Sequence, residues 1–139
     1  MKKNRVLALW VIILVFNFYG CGSDEPDPVP IELEGTWIRN DNINWYKIFS
    51  KDTFTFSLGN NGSYSSEVIS VSIENNNGDM ADEFPYKYII NVKIKSNTGN
   101  VASTEGYEVN SILKEIFFLN ISKNKIMRPS TPPTIYEKS

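Results

Sequence analysis

The chain has 139 residues, of which 41% are hydrophobic, 22% charged and 13% aromatic, with 14 basic and 16 acidic side chains. This composition excludes wholesale disorder, and the length allows one domain and little more. The chain has no histidine and one cysteine, which excludes an intramolecular disulfide, Ser/His and Cys/His catalytic groups and the usual zinc sites.

The N-terminus has the three parts of an export signal. Met1–Arg5 is basic, Val6–Tyr19 is almost wholly apolar, and Gly20 precedes Cys21. The apolar run is shorter than the roughly 20 residues that a membrane-spanning helix needs. The arrangement resembles the bacterial lipoprotein signal, which implies that residues 1–20 are removed and that Cys21 carries diacylglycerol and usually a third acyl chain. An ordinary secretory signal or a short uncleaved anchor is the alternative.

Residues 21–30 are expected to form the lipidated cysteine and a flexible tether, because Gly22–Pro30 holds three prolines and three acids and no hydrophobic periodicity. The acidic Ser23-Asp24-Glu25 resembles the surface-export signal of Bacteroidetes lipoproteins. That resemblance implies an outer-membrane protein exposed on the cell surface, and a periplasm-facing protein is the alternative. After residue 20, 11 basic residues face 16 acidic ones, and the resulting net charge of −5 argues against binding to nucleic acid.

From Ile31 onward, apolar and polar residues alternate with a period of two, which is typical of strands with one buried face. Turns rich in asparagine and glycine separate these runs, as in tight hairpins. The pattern predicts strands at 34–40, 44–50, 53–58, 63–74, 85–96, 103–110, 113–122, 125–128 and 133–138, with a short helical turn as the alternative at 110–115. Such a meander should close into an antiparallel up-and-down barrel of about eight strands over residues 31–139, or fold into a β-sandwich.

Short motifs at both ends of this domain favour the barrel. Gly35 and Trp37 form a Gly-x-Trp motif at the first strand, and Lys138 ends a closing Tyr-x-Lys. Together with the Asn61–Tyr64 hairpin turn, they resemble the lipocalin-like domains of Bacteroidetes lipoproteins. The resemblance implies that the glycine permits close packing and that the tryptophan plugs the closed end. A late-strand cation, Arg128 or Lys138, would lie over the indole.

The second and third strands carry the candidate ligand-binding residues. Trp45, Tyr46, Phe49 and Phe54 are aromatic and lie close together in sequence. At a barrel mouth they would stack on a glycan or an apolar ligand. They would equally serve to fill the interior, since an eight-stranded barrel is just wide enough for side chains or one small ligand.

No segment predicts catalysis, a cofactor or a metal site. The acidic stretch Glu74–Glu83 does not have the ligand spacing of an EF-hand and is better interpreted as a solvated loop. The chain has no phosphate-binding glycine loop and no nucleophile motif. A non-enzymatic role is therefore expected.

Two functions remain open at this point. The first is a membrane-anchored barrel that binds a small apolar or glycan ligand. The second is a filled barrel that acts as a protein-interaction or inhibitor module of the cell envelope. A cavity lined by Trp45, Tyr46 and Phe54 would favour the first function, and a filled interior would favour the second.

Overall fold

The computed structural model describes residues 29–99 and 108–139, and within them it contains eight strands and one short 3-10 helix. The strands are β1 (Gly35–Arg39), β2 (Asn42–Ser50), β3 (Thr53–Leu58), β4 (Gly62–Asn75), β5 (Tyr86–Gly99), β6 (Ile112–Leu119), β7 (Lys125–Arg128) and β8 (Thr134–Lys138). The helix, Gly59–Asn61, joins β3 to β4. The all-β fold predicted from the alternation is confirmed.

The strands form a closed barrel in which each strand pairs antiparallel with the next and β8 pairs with β1. Trp37 lies opposite Lys138, and Arg39 lies opposite Tyr136. The pairing of β8 with β1 satisfies the backbone groups that would otherwise be exposed at the edges of an open sheet. The up-and-down barrel is therefore the observed architecture, and the sandwich alternative is not.

One predicted strand and one predicted alternative differ from the structure. The run at 103–110 falls mainly on residues outside those described, and its last three residues, 108–110, are not in a strand. Ile112–Leu119 is a strand, so the helical turn considered for 110–115 is wrong. Its alternation of buried and exposed side chains follows the inward and outward faces of the barrel.

The longest hairpin, β4–β5, has 14 residues in each strand and is bent by register shifts between Ser65 and Ser66 and between Val68 and Ser70. Such bulges increase the local twist that a small barrel needs. Gly62 opens β4 with a φ of 115°, and a Cβ there would lie 2.0 Å from the backbone oxygen of Thr98. Only glycine allows the two backbones this approach.

The barrel has two different ends. The end that we call the capped end is crossed by residues 29–34 and also carries the β4–β5 connection, 76–85, and the turns at 51–52 and 120–124. The end that we call the loop end carries the 40–41 turn, the 3-10 helix and the 129–133 loop. Because the strands are antiparallel and consecutive, successive connections alternate between these two ends.

The core is one cluster of inward-facing side chains drawn from all eight strands and the crossing segment. Aromatic residues from β1 to β4 pack against a row of aliphatic residues from β5. The fully buried bulky members include Leu33, Trp37, Phe49, Phe54, Tyr64, Tyr88, Ile90, Ile94, Phe117 and Tyr136.

Candidate functional site in the barrel interior and at its ends

The capped end is closed by the segment that precedes β1. Val29 donates its backbone N–H to the carbonyl oxygen of Lys51 at 2.7 Å, which ties the segment to the β2–β3 turn. Val29 and Leu33 are buried against the core. Trp37 donates its indole N–H to the carbonyl oxygen of Leu33 at 2.7 Å. The buried indole polar group is therefore satisfied, and the crossing segment is held to β1.

A cation covers this tryptophan from the last strand. The Nζ of Lys138 lies 5.2 Å from the centre of the Trp37 ring and donates to the carbonyl oxygen of Glu32 at 3.1 Å. Gly35 has a φ of 125°, and a Cβ there would lie 3.1 Å from the Cε of Lys138. The structure thus brings together Gly35, Trp37 and Lys138. Arg128 lies in the other half of the barrel, where β7 ends.

A tyrosine–glutamate pair extends this arrangement to the opposite wall. The hydroxyl of Tyr88, on β5, donates to Glu32 Oε1 at 2.7 Å. This hydrogen bond is the main reason that the pKa of Glu32 is lowered, and nearby Lys123 and Lys138 lower it further. Burial, followed by the hydrogen bond to Glu32, raises the pKa of the Tyr88 phenol. The crossing segment is therefore bonded to the β2–β3 turn, to β5 and to β8.

A buried lysine lies among the aromatic rings of the interior. Lys47, on β2, is fully buried, and its Nζ lies 4.0 Å from the ring centre of Phe56. The same nitrogen lies 5.2 Å from the ring centres of Phe54 and Phe117 and 5.3 Å from that of Tyr136. Each ring is within the distance at which an ammonium is attracted to the face of an aromatic group. Lys47 is an inward-facing part of the core.

A buried carboxylate faces into the barrel from β6. Glu115 is buried and accepts a hydrogen bond from the Tyr64 hydroxyl at 3.2 Å. Its other oxygen lies 3.7 Å from the Nε of Arg128, which is part-exposed. Arg128, expected as a possible cation over the plug, instead forms an ion pair with this carboxylate.

Lys47 and Glu115 were not singled out by motif, although the sequence carries a signal for both. Lys47 lies between Trp45 and Phe49, and Glu115 between Leu113 and Phe117, in phase with apolar neighbours on the same face of the strand. With a period of two, a charge in that phase points into the barrel. The pattern predicts two buried charges but does not identify their partners.

The four aromatic residues considered for ligand binding occupy three different places. Phe49 and Phe54 are buried with their ring centres 4.9 Å apart, and Phe117 lies 5.4 Å from Phe49. Trp45 is part-buried toward the loop end, with the guanidinium carbon of Arg39 4.5 Å above its ring. Tyr46 lies on the outward face of β2, opposite Ile38 and Ser57. These four residues therefore do not line one site.

Two surface grooves share the 129–133 loop of the loop end. One, of about 440 Å³, runs along the outer wall from this loop to residues 76–80 in the β4–β5 connection, with Phe118 and Met127 among its lining residues. The other, of about 430 Å³, lies between the loop and residues 39–41, with Thr134 and Ile135 also lining it. Ser130 braces the loop by donating to the carbonyl oxygen of Pro132 at 2.6 Å. Both grooves lie outside the barrel wall.

Some expected features fall outside the structural description. Residues 1–20, Cys21 and the tether as far as residue 28 lie outside the described residues, whereas Val29, expected in the tether, is buried in the core. Across 29–99 and 108–139, no three His, Cys, Asp or Glu side chains are grouped as metal ligands would be. Over the same two ranges, the chain forms no helix with the length and apolar character of a membrane span.

The fold and the interior define this domain as a closed, eight-stranded antiparallel β-barrel with an aromatic core around an inward lysine. Comparison with protein-family models, with curated proteins and with solved structures gives no match to the chain.

Proposed function

We propose that this chain is a lipoprotein of the bacterial envelope, and that its lipocalin-like barrel is a non-catalytic module that binds a protein partner on its outer surface. The interior is then a structural core and not a ligand pocket. Residues 21–28 tether the barrel to the lipid on Cys21, and the loop end carries the partner-binding surface. The observation that carries this proposal is the occupancy of the interior by large side chains.

Contacts between aromatic rings across the barrel support the view that side chains occupy its interior. Phe49, Phe54 and Phe117 lie with centres 4.9–6.0 Å apart, which is the range of packed aromatic pairs. Lys47 fills the space beside these rings. Because an eight-stranded barrel has room for filling side chains or for one small ligand, a ligand at this level would have to displace them.

The attachment of the tether at the capped end supports a partner site at the loop end. The tether joins the barrel at Val29, whose N–H is bonded to Lys51 at the capped end. The loop end is therefore the part of the barrel farthest from the anchored terminus. The groove between the 129–133 loop and residues 39–41 opens there, and the other groove runs from the same loop along the outer wall, past Phe118 and Met127, to residues 76–80. Apolar lining within a polar rim suits a protein segment better than a charged polymer.

Site-specific crosslinking in cells tests the partner surface. A photoreactive amino acid is placed at Thr131, between the two grooves, and in a control variant at Ile48 on the outward face of β2. We expect a discrete crosslinked protein from position 131 and none from position 48. Equal labelling from both positions, or none from either, would contradict a specific partner at the loop end.

A second experiment tests the alternative function, the binding of a small molecule in the barrel. Native mass spectrometry of the protein from its own membranes is expected to show the lipidated mass with no additional small molecule. A stoichiometric apolar or glycan ligand, lost on substitution of Trp45 or Phe54, would replace the proposed function with small-molecule binding.

The lipid anchor is tested by fractionation of a Cys21→Ser variant. This variant loses the thioether on which the anchor depends and is expected to leave the membrane fraction. A Gly22→Ser variant keeps the cysteine and serves as the control that stays with the membrane. Retention of Cys21→Ser in the membrane fraction would show that the lipoprotein assignment is wrong.

A further inference from the structure

We infer that the capped end of the barrel rests on the lipid surface to which Cys21 is attached, with three exposed isoleucines entering the interfacial region. This inference rests on the proposed lipid anchor and adds a second, non-covalent contact with the membrane. It assigns the two ends of the barrel to different partners, lipid at the capped end and protein at the loop end.

Three exposed isoleucines lie at the same end of the barrel as the Glu32–Tyr88 hydrogen bond. Ile31 precedes Glu32 and is 81% exposed, and Ile73, opposite Tyr88 in the β4–β5 ladder, is 54% exposed. Ile121 is 64% exposed and lies in the turn that also carries Lys123, whose charge acts on Glu32. The crossing segment, the last part of β4 and the β6–β7 turn therefore bring apolar side chains to one end of the barrel.

The tether keeps this end near the bilayer whatever its conformation. Seven residues lie between the lipidated cysteine and Val29, and the eight steps from Cys21 to Val29 can span no more than about 29 Å even when fully extended. Isoleucines also lie exposed toward the loop end, at Ile43 and Ile112. Those positions are separated from the anchor by the length of the barrel, so the tether selects the isoleucines of the capped end.

The charges at the capped end favour an apolar contact over an electrostatic one. Lys51 and Asp52 are adjacent in the exposed β2–β3 turn, the charge of Lys123 acts on Glu32, and the β4–β5 connection adds the exposed acids Asp79, Asp82 and Glu83. With both signs present, this surface is not a basic patch of the kind that selects anionic lipids. Burial of isoleucine side chains among neutral headgroups is sufficient for the contact, as for other apolar surfaces at a membrane interface.

The experiment uses the full lipidated protein reconstituted in phosphatidylcholine vesicles. Cys21 is the only cysteine and is blocked by its lipid, so a new cysteine can be labelled selectively. Ile121→Cys and Ile73→Cys place an environment-sensitive fluorophore at the capped end, and Ile43→Cys places it near the loop end as the matched control. Lipids with a spin label high on the acyl chain serve as the quencher. Circular dichroism of each variant verifies that the barrel is retained.

We expect blue-shifted emission and quenching by the spin-labelled lipid at positions 121 and 73, with neither at position 43. Water-like emission without quenching at all three positions, in protein that floats with the vesicles, would overturn the docked orientation and leave the anchor intact. If the protein fails to float with the vesicles, the anchor is wrong and the inference falls with it. Equal quenching at both ends would show that the barrel has no preferred orientation and would also overturn it.

Discussion

Trp37 and Leu33 are joined by a 2.7 Å hydrogen bond from the indole N–H to the backbone carbonyl oxygen, and both side chains are fully buried. The two residues lie on either side of the point where the crossing segment becomes β1. This bond fixes the angle at which the chain enters the barrel. Trp37 is therefore a core aromatic residue that also holds the crossing segment to β1.

Trp37→Phe is expected to lower the free energy of unfolding by about 2–3 kcal/mol, because it leaves a small cavity and an unpaired buried carbonyl. Chemical denaturation provides the measurement. Trp45→Phe is the matched control: Trp45 is only part-buried beneath Arg39, and its replacement should cost about 1 kcal/mol or less. Equal losses in the two variants would contradict a special role for the Leu33 bond.

Gly35→Ala is expected to destabilise the barrel by about 1–3 kcal/mol, because alanine is strained at a positive φ and its Cβ meets the Lys138 side chain. The control is Gly78→Ala, in the exposed β4–β5 loop, where φ is not positive and a Cβ has only the Asn76 side chain nearby at 3.3 Å. That change should remain within about 0.5 kcal/mol of the wild type. Thermal unfolding of the two variants side by side tests the difference.

Lys47 is expected to contribute mainly through the volume of its buried stem and its contact with the surrounding rings. Lys47→Ala should lower the free energy of unfolding by about 2–4 kcal/mol, as other large-to-small core substitutions do. Lys47→Met keeps an unbranched side chain of similar length and should recover at least about 1 kcal/mol of this loss. If the two variants lose equal stability in denaturant unfolding, the charge rather than the stem is the dominant contribution.

The Glu32–Tyr88 pair predicts a pH-dependent contribution to stability. The folded pKa of Glu32 lies below its ordinary value of 4.5, so its contribution is complete above that pH and is lost as the pH falls through the folded value. The folded pKa of Tyr88 lies above its ordinary value of 10.0, so its contribution is complete below that pH and is lost as the pH rises further. The stability difference between wild type and Tyr88→Phe should therefore be largest between these limits.

Thermal unfolding over the acid, neutral and alkaline ranges measures this difference. In a Glu32→Gln background, Tyr88→Phe should lose its pH dependence on the acid side, because the titrating carboxyl is gone. A persistent acid dependence in that background would assign it to a different group.

The strand pattern was largely readable from the sequence, because alternation and turn residues are local properties. The runs at 53–58 and 125–128 coincide with β3 and β7, and most other strands differ by only a few residues at their ends. The position of Gly35 and Trp37 at the start of β1 was readable for the same reason. Which of two cations covers Trp37 was not, since it depends on the register between β1 and β8.

The positions of the candidate aromatic residues in the barrel could not be predicted from their spacing in the sequence. Trp45, Tyr46 and Phe49 are close in the chain, yet alternation turns Tyr46 outward, and the length of β2 carries Trp45 and Phe49 toward different ends of the barrel. A register shift between Ile38 and Arg39 then brings Arg39 over Trp45. Neighbours in sequence therefore did not predict neighbours in the site.

Period-two alternation and asparagine–glycine turns act over only a few residues, so the local sequence was sufficient to predict an antiparallel all-β meander, with a closed barrel and a sandwich as its two possible forms. Tertiary structure decided what the closed barrel contains. Lys47 and Phe117 are 70 positions apart in the chain, and Glu32 and Lys138 are 106 positions apart. Only the closure of the barrel by the pairing of β8 with β1 brings such residues together. The local alternation shows which charged side chains point into the barrel. Their partners depend on the registers of all eight strands, since closure makes each register depend on the others.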